Sequence, residues 1–236
     1  MFFLLLAGCG VSFIPAGEVR FDGSDTVTAV NGMDLDSNGR SDLLVGISTS
    51  GPDDIEGSRQ IFSTLFIFEE TGKSWKYLWK SAPLIRSDRR LEPAADEVEE
   101  ILVPMDTNSR RLLVRTRSEK YCVRFEEGHY FMEPCGDVFP GSFPDAELGD
   151  YFKFPFDKPY FFMIKSRQYL VLERENAFLE IYRFRPEAEP PFIAVGRLRT
   201  GPVTALCVFK EVFRGREILC AGRTGHALSF YRVSGL

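Results

Sequence analysis

An all-β fold of the propeller kind, with about four blades, is what this sequence predicts, and three observations carry the prediction. No stretch sustains a helical period; short alternating or apolar runs recur between turn signals instead. Phe is used 22 times, and together with the many Val, Ile and Tyr it favours strands. Four similar units then follow one another, each an apolar run, a polar turn and a second apolar run. An incomplete ring or a β-sandwich could be built from the same strands.

The chain opens with an apolar run at residues 2–6, and residues 19–21 (Val-Arg-Phe) then read as an orphan strand. The first unit occupies residues 27–46 and continues with strands near 63–68 and 75–79. The second uses 101–105, 111–115, 121–125 and 130–132; the third 160–164, 169–172, 178–184 and 192–195. The fourth has only three strands, at 203–209, 218–221 and 227–233. The orphan strand supplies the missing one, so strands from both ends of the chain are expected to close one blade and leave no long bare edge. Unequal spacing of the units places insertions near residues 50–60, 86–100 and 136–159.

Composition narrows the function classes. In 236 residues, 44% are hydrophobic and 27% charged, which suits a globular core and excludes a disordered, collagen-like or coiled-coil chain or a polytopic membrane protein. The net charge of −5 creates no field that would attract nucleic acid or an anionic membrane surface. Only two histidines are present, little material for zinc or for His-based proton transfer.

Residues 1–10 read MFFLLLAGCG, and Leu6-Ala7-Gly8-Cys9 resembles the lipobox of bacterial lipoproteins. The resemblance implies that residues 1–8 are a signal segment and that Cys9 is lipidated, which places the remainder, residues 9–236 read as a single propeller-like domain, in the cell envelope. Gly10 in place of an Asp carries no signal for inner-membrane retention, which points to the outer membrane or periplasm. The other reading of residues 2–7 is a buried strand. Four cysteines remain, an even number that an oxidising compartment allows. Cys207 and Cys220 are centred on the loop at 213–215, so a hairpin would oppose them directly and permit a bridge. Cys122 and Cys135 fit a bridge less well, because a turn at 126–129 sets Cys122 near Met132. Four buried free thiols are the alternative.

Residues 34–46 (DLDSNGRSDLLVG) carry the chemistry. Oxygen side chains fall at positions 1, 3, 5 and 9 (Asp34, Asp36, Asn38, Asp42), a carbonyl is available at Arg40, and Gly39 allows the sharp turn, a donor set for a hard cation such as Ca²⁺. An EF-hand loop would need Glu at position 12, where Val45 stands. The pattern resembles the FG-GAP or VCBS repeat, a propeller blade of integrin α-chains and bacterial surface proteins. That resemblance implies one structural Ca²⁺ held by Asp34, Asp36, Asn38, Asp42 and the Arg40 carbonyl, joining the first two strands of a blade. An Asx-rich turn needs no ion. The other units keep only remnants, at 105–108, 156–157 and around Glu211, Gly215 and Glu217.

Other candidates carry less. His129 and His226 lie in different units with no nucleophile motif beside either. Asp96, Glu97, Glu99 and Glu100 have the makings of an acid and base pair but read as a solvated loop, and Arg110, Arg111, Arg115, Arg117 and Arg124 as an exposed strand face. Phe139, Phe143, Tyr151, Phe152, Phe154 and Phe156 crowd one insertion with prolines and form a candidate binding loop. Trp75 and Trp79 are expected on one strand face, packed between blades. The sequence thus predicts a non-catalytic, lipid-anchored binding or scaffold protein of a bacterial envelope, with envelope or surface proteins and glycans as partners, no nucleic acid, and membrane contact through the anchor alone. The rivals are a polysaccharide-active enzyme and a cytosolic propeller scaffold without an anchor.

Overall fold

The computed structural model describes residues 11–21, 25–53, 59–72, 74–86, 94–103, 111–135, 159–164, 167–174, 178–210, 215–223 and 227–234. The chain is all-β and propeller-like, with four four-stranded antiparallel sheets. Strand β1 (Ser12–Arg20) comes first, and the first sheet follows as β2 (Asp25–Met33), β3 (Asp42–Asp53), β4 (Arg59–Glu70) and β5 (Trp75–Lys80), in that order. A two-stranded ribbon of β6 (Ile85–Arg86) and β7 (Ala94–Ala95) leads to the second sheet, β8 (Val98–Leu102), β9 (Arg111–Thr116), β10 (Lys120–Glu126) and β11 (His129–Pro134). The third is β12 (Pro159–Ile164), β13 (Arg167–Arg174), β14 (Phe178–Phe184) and β15 (Phe192–Arg199). The fourth takes β16 (Val203–Lys210), β17 (Glu217–Arg223) and β18 (Ala227–Ser234) and is completed by β1, antiparallel to β18 from Ser12↔Ser234 to Arg20↔Ala227. The expected closure by strands from both ends is therefore present. Four separate sheets decide against a two-layer sandwich.

The first strand of each sheet is innermost: β16 packs on β2, β2 on β8, and β12 on β16. Inner strands are well enclosed, as β13, β17 and β18 show with five consecutive buried residues each, whereas the outermost strands β1, β5 and β11 are largely exposed. Apolar clusters fill the spaces between sheets. Val27, Leu43, Val45, Phe209, Cys220 and Phe230 join the first sheet to the fourth; Leu44, Ile67, Val98, Leu112 and Val123 join the first to the second; Val171, Ile181, Leu219 and Tyr231 join the third to the fourth. None of these clusters of described residues spans the second and third sheets.

Two glycines set the spacing. A Cβ at Gly46 would lie 2.8 Å from Val98 Cβ, and one at Gly222 would lie 2.8 Å from Val27 Cγ1. In both seams the opening valine of one innermost strand seats on a glycine in the second strand of the preceding or following sheet. At the third seam Glu173, buried on β13, accepts the Val203 N–H at 3.1 Å. A one-residue bulge follows each of these valines, at Thr28, Glu99 and Thr204, so the repeat is clearer in the backbone than in the sequence.

Several expectations need correction. The second unit begins at Val98, not 101, because the bulge at Glu99 breaks the alternation between Val98 and Ile101. On the described part of residues 50–60, β3 and β4 continue their pairing through Ser50↔Ile61 to Asp53↔Arg59, so the extra length there extends the hairpin. Trp75 and Trp79 do not share a face. A bulge at Leu78 sends Trp75 toward the fourth sheet, stacked on Phe230 at 5.1 Å, and Trp79 toward Tyr130 of the second. The cysteines also reverse their ranking. Cys207 and Cys220 are directly opposed and buried, yet are free thiols, while Cys122 and Cys135 are bridged with Cα atoms 5.3 Å apart. The two-residue turn Glu127-Gly128 sets Cys122 opposite Glu133 rather than Met132, so Cys135 lies diagonally across on the same face, within bridging reach.

Candidate metal centre

The loop between β2 and β3 grows from a clamped strand. Next to it, Asn31 Nδ2 donates to the Ile101 carbonyl at 2.8 Å and the Phe209 ring lies against Gly32, so β2 is held between the innermost strands on either side. The chain then winds through Asp34–Ser41 on its own side chains. Asp36 Oδ1 accepts the Asn38 N–H (3.1 Å), Asn38 Oδ1 that of Arg40 (2.8 Å), Asp34 Oδ2 that of Gly39 (3.1 Å) and Asp42 Oδ2 that of Leu35 (2.9 Å). Ser37 (φ 60°) and Gly39 (φ 81°) take the left-handed conformation that lets the loop double back. Leu35 is almost wholly buried against the second sheet and pins the loop inward.

These constraints bring the carboxylates of Asp34, Asp36 and Asp42 together, with one oxygen from each within 4.8 Å of the others. Asp34 Oδ1 is buried and accepts no hydrogen bond. Asp42 is fully buried, and Tyr130 of β11 reaches across to donate its hydroxyl to Asp42 Oδ1 at 3.3 Å. Burial pushes the Asp42 carboxyl up to about 7; the nearby Asp36 charge adds to this, and the hydrogen bonds from Leu35, Asp36 and Tyr130 oppose it. Burial and then the Asp42 and Asp36 charges push the Tyr130 hydroxyl upward as well, which keeps it a neutral donor.

The side chains of Asn38 and Arg40 also tie the loop to β4. The Asn38 amide donates to Asp36 Oδ2 (2.8 Å) and Glu69 Oε2 (2.6 Å), and the Arg40 guanidinium sits 3.4 Å from Glu69 Oε1. Glu69 is buried on β4, directly across from Asp42. Neither Glu69 nor Tyr130 is legible in the sequence as a neighbour of the loop, because strand pairing and sheet packing bring them there. The donor set is all oxygen, partly dehydrated and short of cations, and one of its oxygens lacks a partner. Those properties fit a hard divalent cation such as Ca²⁺.

Without the ion, the clustered carboxylates carry a pH signature. The folded protein binds the Asp42 proton more tightly than the unfolded chain does, so this group stabilises the fold fully below about pH 4, and the contribution disappears as pH rises through about 7. In a chelator-containing buffer, Asp42→Asn is therefore expected to flatten the fall in stability between pH 4 and 7 by a few kcal/mol, read from denaturant midpoints across that range.

The other candidate residues fall as follows. Asp96 is buried and organises a turn, accepting from the Thr116 hydroxyl and from the Ser118 N–H and hydroxyl. The acidic run is thus not a solvated loop: Glu97 pairs with Arg117, and Glu99 and Glu100 with Arg115. Arg124 pairs with Glu126 and Glu133, so the arginine-rich face carries its own counter-charges. His129 is exposed beside the ring of Phe131. Cys9, Arg110, Glu211, His226 and the candidate binding loop of Phe139, Phe143, Tyr151, Phe152, Phe154 and Phe156 lie outside the described residues, as do the remnants at 105–108 and 156–157. Neither family models nor curated proteins match the chain, so what it does has to be argued from these residues.

Proposed function

We propose that this chain is a calcium-stabilised, non-catalytic binding or scaffold protein of a bacterial envelope, anchored by lipid at Cys9. The observation that carries the reading is the convergence of Asp34, Asp36 and Asp42 at the mouth of one sheet, with Asp34 Oδ1 buried and unpartnered. The FG-GAP or VCBS resemblance of residues 34–46 supports calcium at that place, and a single such loop makes the ion structural. The Cys122–Cys135 disulfide supports an oxidising compartment. Lipidation at Cys9 is compatible with the closure of the fourth sheet, because β1 begins at Ser12 and stays whole when residues 1–8 are removed.

Calcium is expected to raise the melting temperature of the wild type and not of Asp36→Ala. At a concentration one hundred times Kd the ion would add about 2.7 kcal/mol. An equal shift in the variant would dismiss the loop as the site. Address is tested separately, by feeding an acyl label to cells expressing the natural gene or Cys9→Ala. Label and membrane association should vanish together in the variant; a soluble, unlabelled native protein would turn the reading toward a cytosolic scaffold.

A further inference from the structure

The cleft between the first and fourth sheets opens at its outer end into a cavity of about 210 Å³. Its floor is the half-buried Trp75, stacked on Phe230 and edge-on to Phe209, with Phe209, Phe230 and Ile218 buried behind it. Its rim is charged, with Glu18 from β1, Glu70 from the end of β4 and Arg232 from β18. The space exists because β1 bulges at Ala16 and places Gly17 opposite Phe230; a Cβ at Gly17 would meet nothing within 4 Å. Among the described residues Arg232 forms no ion pair, whereas Glu18 is held by Arg20.

We propose that this cleft binds a neutral sugar ring. Three features select that class. An aromatic floor attracts the C–H face of a pyranose, as it does any apolar surface that carries partial positive charge on its hydrogens. A rim that holds both carboxylates and a guanidinium suits hydroxyl groups, which donate to the first and accept from the second. The same rim opposes an anion, which would face Glu18 and Glu70. Size agrees: the cavity is smaller than the roughly 300–1,000 Å³ pockets that take drug-sized ligands, and suits one ring with its continuation in solvent. The inference rests on the binding reading above and gives it one site and one ligand class.

The chain contains two tryptophans, and only Trp75 lines the cleft, so its emission reports occupancy. Glucose, galactose, mannose and N-acetylglucosamine are titrated into the full chain and into Trp79→Phe. At least one sugar is expected to change the emission saturably in both proteins. Arg232→Ala and Glu18→Gln should each weaken that sugar at least tenfold while leaving the melting temperature unchanged. No response to any of the four sugars, equal binding by Arg232→Ala, or tighter binding of glucuronate than of glucose would overturn the assignment. The calcium and acyl-label experiments do not depend on the cleft, so failure here and failure of the envelope reading give different patterns.

Discussion

Replacing Gly222 with valine is expected to cost about 1–3 kcal/mol, the range for added methyl groups in a packed core, and Gly46→Val should cost a similar amount. At about 2–4 °C per kcal/mol for a chain of this size, the melting temperature falls by several degrees. The penalty is steric rather than conformational, since neither glycine has a positive φ. At Gly222 the obstacle is Val27, with Cγ1 at 2.8 Å and Cβ at 3.0 Å from the new carbon; at Gly46 it is Val98, whose Cβ at 2.8 Å is fixed to its strand and cannot rotate away. Each clash drives two sheets apart along a whole innermost strand. A cycle separates this mechanism from a general loss of strand flexibility. Gly222→Ala should cost clearly less in a Val27→Ala background than in the wild type, because Cγ1 is gone. Additive costs would show that the seam is not what the glycine serves.

These seams show how far the sequence could be read. Val27-Thr28-Ala29 and Val203-Thr204-Ala205 are identical triplets, and each places its bulge at the threonine. Units marked by such local patterns were legible, as was the orphan strand that completes the fourth sheet. Bulges themselves were not. One extra residue reverses the faces that follow it, which is why the sequence alone places the start of the second sheet at 101 and puts Trp75 and Trp79 on one face. The acidic loop was legible because its hydrogen bonds run between near neighbours in the chain. Glu69 and Tyr130, which complete its surroundings, arrive through pairing and packing over long sequence distances, and only coordinates could supply them. The disulfide escapes the sequence for the related reason that one residue of register decides which cysteines lie within reach.

Removing residues 1–21 should abolish the folded monomer, while removing residues 1–10 alone should leave it intact. Strand β1 does more than cover the edge of β18. Its bulge at Ala16 turns its two halves to opposite sides: Phe13 packs with the cluster between the third and fourth sheets, and Val19 and Phe21 with the cluster between the first and fourth. Just before it, the Val11 N–H donates to the Val195 carbonyl of β15 at 2.8 Å, and Gly196 leaves room for the Phe13 ring. One strand therefore ties three sheets together. A fully buried apolar side chain contributes about 1.5–3 kcal/mol; Phe13, Val19 and Phe21 are partly buried, so their loss, together with the backbone pairing to β18, removes several kcal/mol from a total that for a domain is about 5–15. The bared edge of β18 would also be open to pairing with another chain, and oligomers are expected wherever the truncated protein survives. Size-exclusion chromatography with circular dichroism distinguishes the outcomes. A stable monomer without residues 1–21 would mean that the three sheets hold together without β1 and that the closing strand is dispensable to the fold.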